Sequence, residues 1–353
     1  MDFNLTQRQQ NILLAIVMDY IATAEPVGSR TISKKYDLGL SPATIRNDMS
    51  DLEELGLLRQ PHSSAGRIPS DLGYRKFVDY LMQKTELLDE EKQIIKTIQN
   101  DKLSNLEQII EKSARILSAL SNTMAIIKFP EGNKDFVKHF KILPINDMTF
   151  VIVIVSTTGK VHDYLVQLQQ PVEEYFFHQI SEYFNNEIVG TPINELQKKL
   201  NELVTGNIEY DNILRGIYRS IKDSLSQDKS KICVTGTSNL LKEPEFLENE
   251  KAHSLVNFFE AQGRLKEFSD VFMEIGATFH EKPIILIGHE ISISQLQNCS
   301  LIVGSYNVGD SITGAIGLLG PTRMHYGKSI AALEEMTKNL SYLLTKLYDV
   351  RGS

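Results

Sequence analysis

The sequence predicts a multidomain α+β chain, and three observations carry that reading. Near the N-terminus, two helical patterns are joined by a short Gly-containing turn and followed by a strand, a polar tip and a returning segment. From Ala125 to Leu168, apolar residues recur in strand-length runs. From Pro171 a helical texture takes over, and strands resume only at Pro283. Sheet, then helices, then sheet again marks an insertion within one α+β unit. At 353 residues the chain has room for two or three domains with substantial cores.

Composition narrows the class. Apolar residues make up 42% and charged residues 23%, as in an ordinary globular protein. Met1 to Thr6 lacks the basic segment and apolar core of a signal peptide. Strongly apolar runs such as Phe150 to Val155 are far below the roughly 20 residues that span a bilayer. Cys233 and Cys299 are far apart and without metal-ligand spacing. We therefore expect reduced thiols, a cytoplasmic location, no membrane partner and no zinc site. The net charge of −8 argues against a general nucleic-acid coat, and Met1 to Gln83 holds nine Lys/Arg against ten Asp/Glu. Any DNA footprint must be local, near the cluster Arg30, Lys34, Lys35 and Arg46 or between Arg59 and Lys76.

The N-terminal elements follow from local signals. Thr6 and Gln9 form a capping box, and the helix behind it buries Ile12, Leu13, Ile16, Val17, Tyr20 and Ile21. Glu25-Pro-Val-Gly28 stops it. Ser29 caps a short helix, Arg30 to Tyr36, with Ile32 and Tyr36 inward, and Asp37-Leu-Gly-Leu40 is a tight turn. Ser41 then caps a third helix with Pro42 at its first position, and Ile45, Met49, Leu52 and Leu55 mark its buried face. Gly56 can take the left-handed conformation that ends it. This is a helix-turn-helix, whose second helix enters the DNA major groove.

The exposed N-terminal face of that helix carries Ser41, Ala43, Thr44, Arg46 and Asn47, types that read base edges. Its acidic C-terminal half, Asp51, Glu53 and Glu54, limits the approach to the first two turns. Taken alone, it is equally an amphipathic surface helix, and its flanks decide. Leu57 to Gln60 reads as a strand, and Pro61 to Pro69 as a polar Gly-Arg tip with a returning segment, which makes a wing. His62, Ser63, Ser64 and Arg67, with Arg59, are expected near phosphate or the minor groove; Ser29, Arg30 and Lys34 join them from the second helix. An exposed hairpin with incidental charges is the plain alternative. Ser70 to Leu81 returns to helix, burying Leu72, Phe77, Tyr80 and Leu81.

Further on, Glu86 to Gln99 and Asn105 to Ser121 are helical, the second opened by a capping box from Ser104 to Glu107. The first is polar enough to be a lever between domains. Strands are expected at Ala125–Phe129, Phe136–Leu143, Thr149–Ser156 and Lys160–Leu168, the last two antiparallel across a short turn. Helices follow at Glu173–Asn185, Ile193–Val204 and Tyr210–Ser226, a strand at Lys231–Thr235, and helix again from Leu247 to Phe272. Strands at Pro283–Ile287, Ser300–Tyr306 and Ser311–Leu319 precede a last helix, His325–Tyr348.

Several long runs resemble one family. They are Glu25-Pro-Val-Gly-Ser-Arg-Thr-Ile, Leu38-Gly-Leu-Ser-Pro-Ala-Thr-Ile-Arg-Asn-Asp-Met, Leu52-Glu-Glu-Leu-Gly-Leu-Leu and Gln60-Pro-His-Ser-Ser-Ala-Gly-Arg-Ile-Pro. Gly236-Thr-Ser-Asn-Leu, Cys299-Ser-Leu-Ile-Val and Gly314-Ala-Ile-Gly-Leu-Leu-Gly-Pro-Thr-Arg-Met-His-Tyr extend the likeness to the far end. They are similar to HrcA, the bacterial heat-inducible transcription repressors that control chaperone operons. His325 departs from the usual Asp after Arg-Met. The resemblance implies a GAF-like α+β domain interrupted by an inserted α/β dimerisation domain. The expected limits are 1–85 for the winged helix-turn-helix, 86–103 for a helical linker, 104–170 and 283–350 for the GAF-like parts, and 171–282 for the insertion. It also implies control by temperature and by a GroEL-type chaperonin. A single half-site reads few bases, so a homodimer on an inverted-repeat operator is expected.

No residue set proposes a reaction, cofactor or metal. Gly320 to Ser329 has six residues between its glycines where a phosphate loop needs four, and is a helix start instead. Val234 to Asn239 lacks G-x-G-x-x-G and reads as a structural turn. His280-Glu281 and His289-Glu290 do not build H-E-x-x-H, and no G-x-S-x-G occurs. The alternative function is a metabolite-sensing regulator with its ligand in the GAF-like domain.

Overall fold

Strands that follow one another in this chain do not all share a sheet. The computed structural model describes residues 5–63, 65–83, 85–100, 106–130, 136–157, 161–203, 213–221, 232–247, 249–278, 282–309 and 312–352. Its strands form a two-stranded, a three-stranded and a five-stranded antiparallel sheet. The fold is multidomain α+β, as expected.

The N-terminal module contains α1 (Gln7–Thr23), α2 (Ser29–Lys35), α3 (Pro42–Glu54), β1 (Leu58–Arg59), β2 (Ile68–Pro69) and α4 (Asp71–Lys76). The capping box at Thr6 and Gln9 forms. Ile12, Leu13, Ile16, Val17, Ile32, Ile45, Met49 and Leu52 are buried together. Three expectations fail here. Ser29 does not cap the second helix: it is the first residue of α2, Gly28 is the N-cap, and no side-chain cap hydrogen bond forms. Leu55 is 38% exposed, because α3 ends at Glu54, Gly56 turns the chain at φ 74°, and Leu57 is buried in its place. After α4, residues Phe77–Leu81 form a π-helical turn closed by Met82 N–H donating to Phe77 O at 2.8 Å. The inward face is that of Tyr74 and Phe77, leaving Leu72 39% and Tyr80 67% exposed. Tyr80 lies within this wider turn, whose phase a 3.6-residue repeat does not anticipate, while Leu72 lies before it, two residues from the buried Tyr74 and so on the other side of α4.

The five-stranded sheet runs β7 (Ile232–Thr235), β3 (Met124–Lys128), β10 (Ile312–Pro321), β9 (Cys299–Val308), β8 (Ile284–Ile287). Ala125, Ile127, Ile302, Ile316 and Leu318 point to one face, under α6 (Leu106–Ser121) and α13 (Tyr326–Gly352), on which α5 (Asp89–Asn100) packs in turn. Met124, Ile126, Leu301, Val303 and Leu319 point to the other, under α10 (Thr237–Leu241), α11 (Asn249–Glu260) and α12 (Gln262–Thr278). The segment expected as a lever is docked: α5 buries Ile95 and Ile98 against α6 and α13, and Glu91 bonds Lys328 at 2.7 Å. The capping residue expected at Ser104 lies outside the described residues.

The three-stranded sheet, β4 (Val137–Pro144), β5 (Thr149–Ser156) and β6 (Val161–Gln167), packs one face on α7 (Glu174–Ile188), α8 (Leu196–Glu202) and α9 (213–221). This grouping differs from the expected limits of 104–170 and 171–282. Strands β4 to β6 leave the first half, while β7 and α10 to α12 belong with the five-stranded sheet. The inserted unit therefore lies between β3 and β7. Strand character is a local signal, whereas sheet membership is decided by distant partners, and α7 to α9 need a sheet face to cover.

Candidate nucleic-acid interface

The candidate recognition surface is built by the start of α3. Ser41 is its N-cap, with Oγ accepting from Thr44 N–H at 3.1 Å and lying 3.0 Å from Thr44 Oγ1. Both hydroxyls are thus partly committed to the cap. Ala43, Arg46 and Asn47 are exposed beside them, and Ile45 points into the core. Ser29 is half-buried at the start of α2, while Arg30 and Lys34, one turn apart, are exposed on α2.

Buried carboxylates hold this surface at its angle, a device the sequence reading lacks. Asp48 on α3 is buried and meets Arg8 on α1: Nη2 donates to Oδ1 at 2.9 Å, and Nε lies 2.8 Å from Oδ2. That hydrogen bond, then the Asp48 charge, raises the Arg8 pKa. Asp19 on α1 is also buried and pairs with Lys35 on α2, raising the lysine pKa. An acidic residue at an apolar helix phase is the signal that could have revealed both struts, since a buried carboxylate needs a partner.

The wing is braced rather than loose. Gln60 Nε2 donates to Ser63 O and Ala65 O, each at 3.0 Å, which folds the tip back. His62 and Ser63 are exposed, as is Arg59 on β1; Ser64 lies outside the described residues. Arg67 departs from the phosphate role expected of it. Its guanidinium turns inward to Glu53 of α3 at 2.7 Å, with the side chain only 19% exposed. Its backbone exchanges two 2.9 Å hydrogen bonds with Val27. Any side chain at Gly66 would collide with the Val27 backbone there. The Gly-Arg pair is therefore a strut from wing to recognition helix.

A polar seam ties this module to the five-stranded domain. Arg75 of α4 donates from Nε to Glu290 Oε1 at 2.9 Å, pairs again with that carboxylate through Nη2, and reaches Ile285 O. Asp71 accepts from His289 N–H at 3.0 Å and lies 2.7 Å from its Nδ1. His289-Glu290 thus belongs to this joint; His280-Glu281 lies outside the described residues. Arg323 is held by Glu243 and by Glu245 at 2.6 Å, and approaches Ile21 O of α1 at 3.4 Å. Tyr326, whose ring lies 6.1 Å from Tyr74 and 6.5 Å from Phe77, sits against Ser300 Oγ at 2.7 Å. Burial pushes its phenol pKa up.

The motifs that only mimic nucleotide sites in the sequence resolve as structure. Residues 320–329 enter α13 at Tyr326. Gly236 turns β7 into α10, where Asn239 Nδ2 donates to Ser118 Oγ at 3.2 Å. Among the described residues, no group of three or more His, Cys, Asp or Glu could hold a metal ion. No helix among them is long and apolar enough to cross a membrane.

Comparison with known proteins agrees with this geometry. Residues 4–79 match the family described as the winged helix-turn-helix transcription repressor HrcA DNA-binding domain, and residues 107–330 match the HrcA protein C terminal domain. The heat-inducible transcription repressor HrcA of Carboxydothermus hydrogenoformans is 38% identical, over 96% of this chain and 98% of its own. That of Pelotomaculum thermopropionicum is 38% identical over 99% of both. A crystal structure described as a hypothetical protein shares the fold, with a TM-score of 0.65 and 24% identity over 98% of this chain and 100% of its own. A capped recognition helix and braced wing, matched across both family domains, make the conclusion direct: the chain belongs to the HrcA family of winged-helix transcription repressors.

Proposed function

We propose that this protein represses chaperone operons in the cytoplasm by binding an inverted-repeat operator as a homodimer, and that it releases the operator on heat stress. The observation that carries the reading is the first two turns of α3, where Ala43, Arg46 and Asn47 stand exposed on a helix capped by Ser41 and Thr44. Arg46 is the base-reading residue, with Asn47, Thr44, Ser41 and Ala43 beside it. Ser29, Arg30, Lys34, His62, Ser63 and Ser64 position the module on phosphate. Arg67 acts through Glu53 instead.

The homodimer is supported by the outer face of the inserted sheet. There Val151 lies between Leu143 and Leu165, and Val155 lies beside Val161. Leu143, Val161 and Leu165 are exposed. Between these rows, Lys141 and Asp163 flank Val153 on either side, opposite charges that a two-fold axis could set against their counterparts in a second copy. Two modules fixed by such a dimer read half-sites spaced by whole helical turns. For the GroEL-type chaperonin, the support is the family resemblance; a repressor that refolds and binds fully without chaperonin at every temperature would argue against it.

Footprinting on promoters of chaperone operons tests the core claim, with protection of two symmetric half-sites expected. In the same assay Arg46→Ala should cost about 1–3 kcal/mol and relax discrimination at one base position. Equal loss on operator and random DNA would remove Arg46 from base reading.

A further inference from the structure

We infer that a half-open cavity between α1 and the start of α13 binds an uncharged, largely apolar small molecule that couples the DNA-binding module to the C-terminal domain. The coupling rests on the DNA-binding reading above; the binding site does not.

Helix α1 carries more apolar surface than its own module uses. Ile12, Leu13, Ile16 and Val17 fill the module core, yet Leu14 is only half-buried and Met18, one turn on, is 48% exposed. These two surplus residues form a wall of a cavity of about 620 Å³. Leu81 and Met82, at the end of the π-helical turn, supply a second wall, and Tyr36 and Leu38 between α2 and α3 a third. The remaining side is His325 to Lys328, so the lining comes from both domains. The volume lies within the range of roughly 300–1,000 Å³ that small-molecule sites occupy. Two methionines make the walls adaptable.

The lining also sets the charge of the occupant. Among the described residues, no carboxylate lines the cavity. Lys328 is already neutralised by Glu91 at 2.7 Å. Burial, then the Arg323 and Lys328 charges, lowers the His325 pKa and disfavours the charged form of its imidazole. Asn11, Gln83, Thr85 and that imidazole offer hydrogen bonds to one polar end. Along α1 the lining runs from Asn11 to Ile21, with the half-buried Leu14 and the exposed Met18 as its surplus apolar contacts. A compact neutral molecule fits these constraints, and it would touch α1 and α13 together.

The test is a titration of the full-length protein with N-phenyl-1-naphthylamine, a neutral fluorophore that brightens in apolar surroundings. Saturable binding of one probe per chain is expected. Met18→Glu, at an exposed position, should weaken it by about tenfold or more without changing the melting temperature or operator binding. Leu14→Trp should do the same by filling the space. Saturating probe should shift operator affinity by about fivefold or more. Non-saturable fluorescence, or binding that ignores both substitutions, overturns the site. Unchanged operator affinity at saturation overturns the coupling. Stoichiometric, substitution-sensitive probe binding by a protein that binds no operator would overturn the DNA-binding reading and leave the site standing.

Discussion

Two surfaces of this repressor face outward with opposite chemistry. The start of α3 presents small polar and cationic residues, Ala43, Arg46 and Asn47, on a helix held by the Arg8–Asp48 strut. The outer face of β4, β5 and β6 presents Leu143, Val161 and Leu165 around a stripe of half-buried valines. The five-stranded sheet, by contrast, is covered by helices on both faces. A hydrated, cationic surface suits a phosphate-rich duplex, which keeps its water and counterions until contact. An apolar sheet face is stable in water only when something apolar covers it. The contrast is what the proposed division of labour rests on, one face for DNA and the other for a second copy of the chain.

The largest expected effect lies on neither face. Phe272→Ala, beneath the fully covered sheet, should cost about 3–5 kcal/mol in denaturant unfolding. A small loss there would mean that the central domain is less tightly packed than its burial implies. Next is Val151→Asp on the outer sheet face, which leaves the fold intact but desolvates a charge in the dimer, at about 2 kcal/mol or more. Sedimentation should show monomers, with operator affinity falling in parallel; a persistent dimer would move the interface elsewhere.

On the DNA face, two arginines separate contact from support. Arg30→Ala should weaken operator and random DNA alike and reduce the salt slope by about 1. Arg67→Ala should leave that slope unchanged and lower module stability by about 1 kcal/mol, because its partner is Glu53. A flattened slope for Arg67→Ala would restore it to the phosphate set.

The covered sheet can also be probed without a substitution, through its buried thiol. Burial raises the Cys299 thiol from its usual 9.0 to about 12. The folded state then holds its proton more tightly than the unfolded state, so stability falls as pH rises from about 9 towards 12. Alkylation at pH 8 should modify the half-exposed Cys233 in the native protein and reach Cys299 only after unfolding. Equal rates for the two thiols would show that β9 opens locally.

Much of the DNA-binding module is legible in the sequence. Thr6 and Gln9, Ser41 and Pro42, and Gly56 are local signals that act through hydrogen bonds within a few residues, and α1 and α3 start and stop where they say. Arg67 is not legible in this way. Its type and tip position suit a phosphate contact, while its partner Glu53 becomes a neighbour only once the wing folds back. The seam of Arg75, Glu290, Asp71 and His289 spans more than two hundred residues, and no spacing rule connects them.

By itself, then, the sequence determined the caps at Thr6 and Ser41 with the helices behind them, the helix-turn-helix and wing, the antiparallel β5–β6 pair and the family. Only the tertiary structure decided which strands share a sheet, that α5 docks rather than levers, and that Tyr74 rather than Leu72 turns inward after Ser70. The reason is physical. Caps, turns and apolar periodicity are written in contacts a few residues apart, whereas strand partnership and buried ion pairs are chosen among distant segments by the free energy of covering each face.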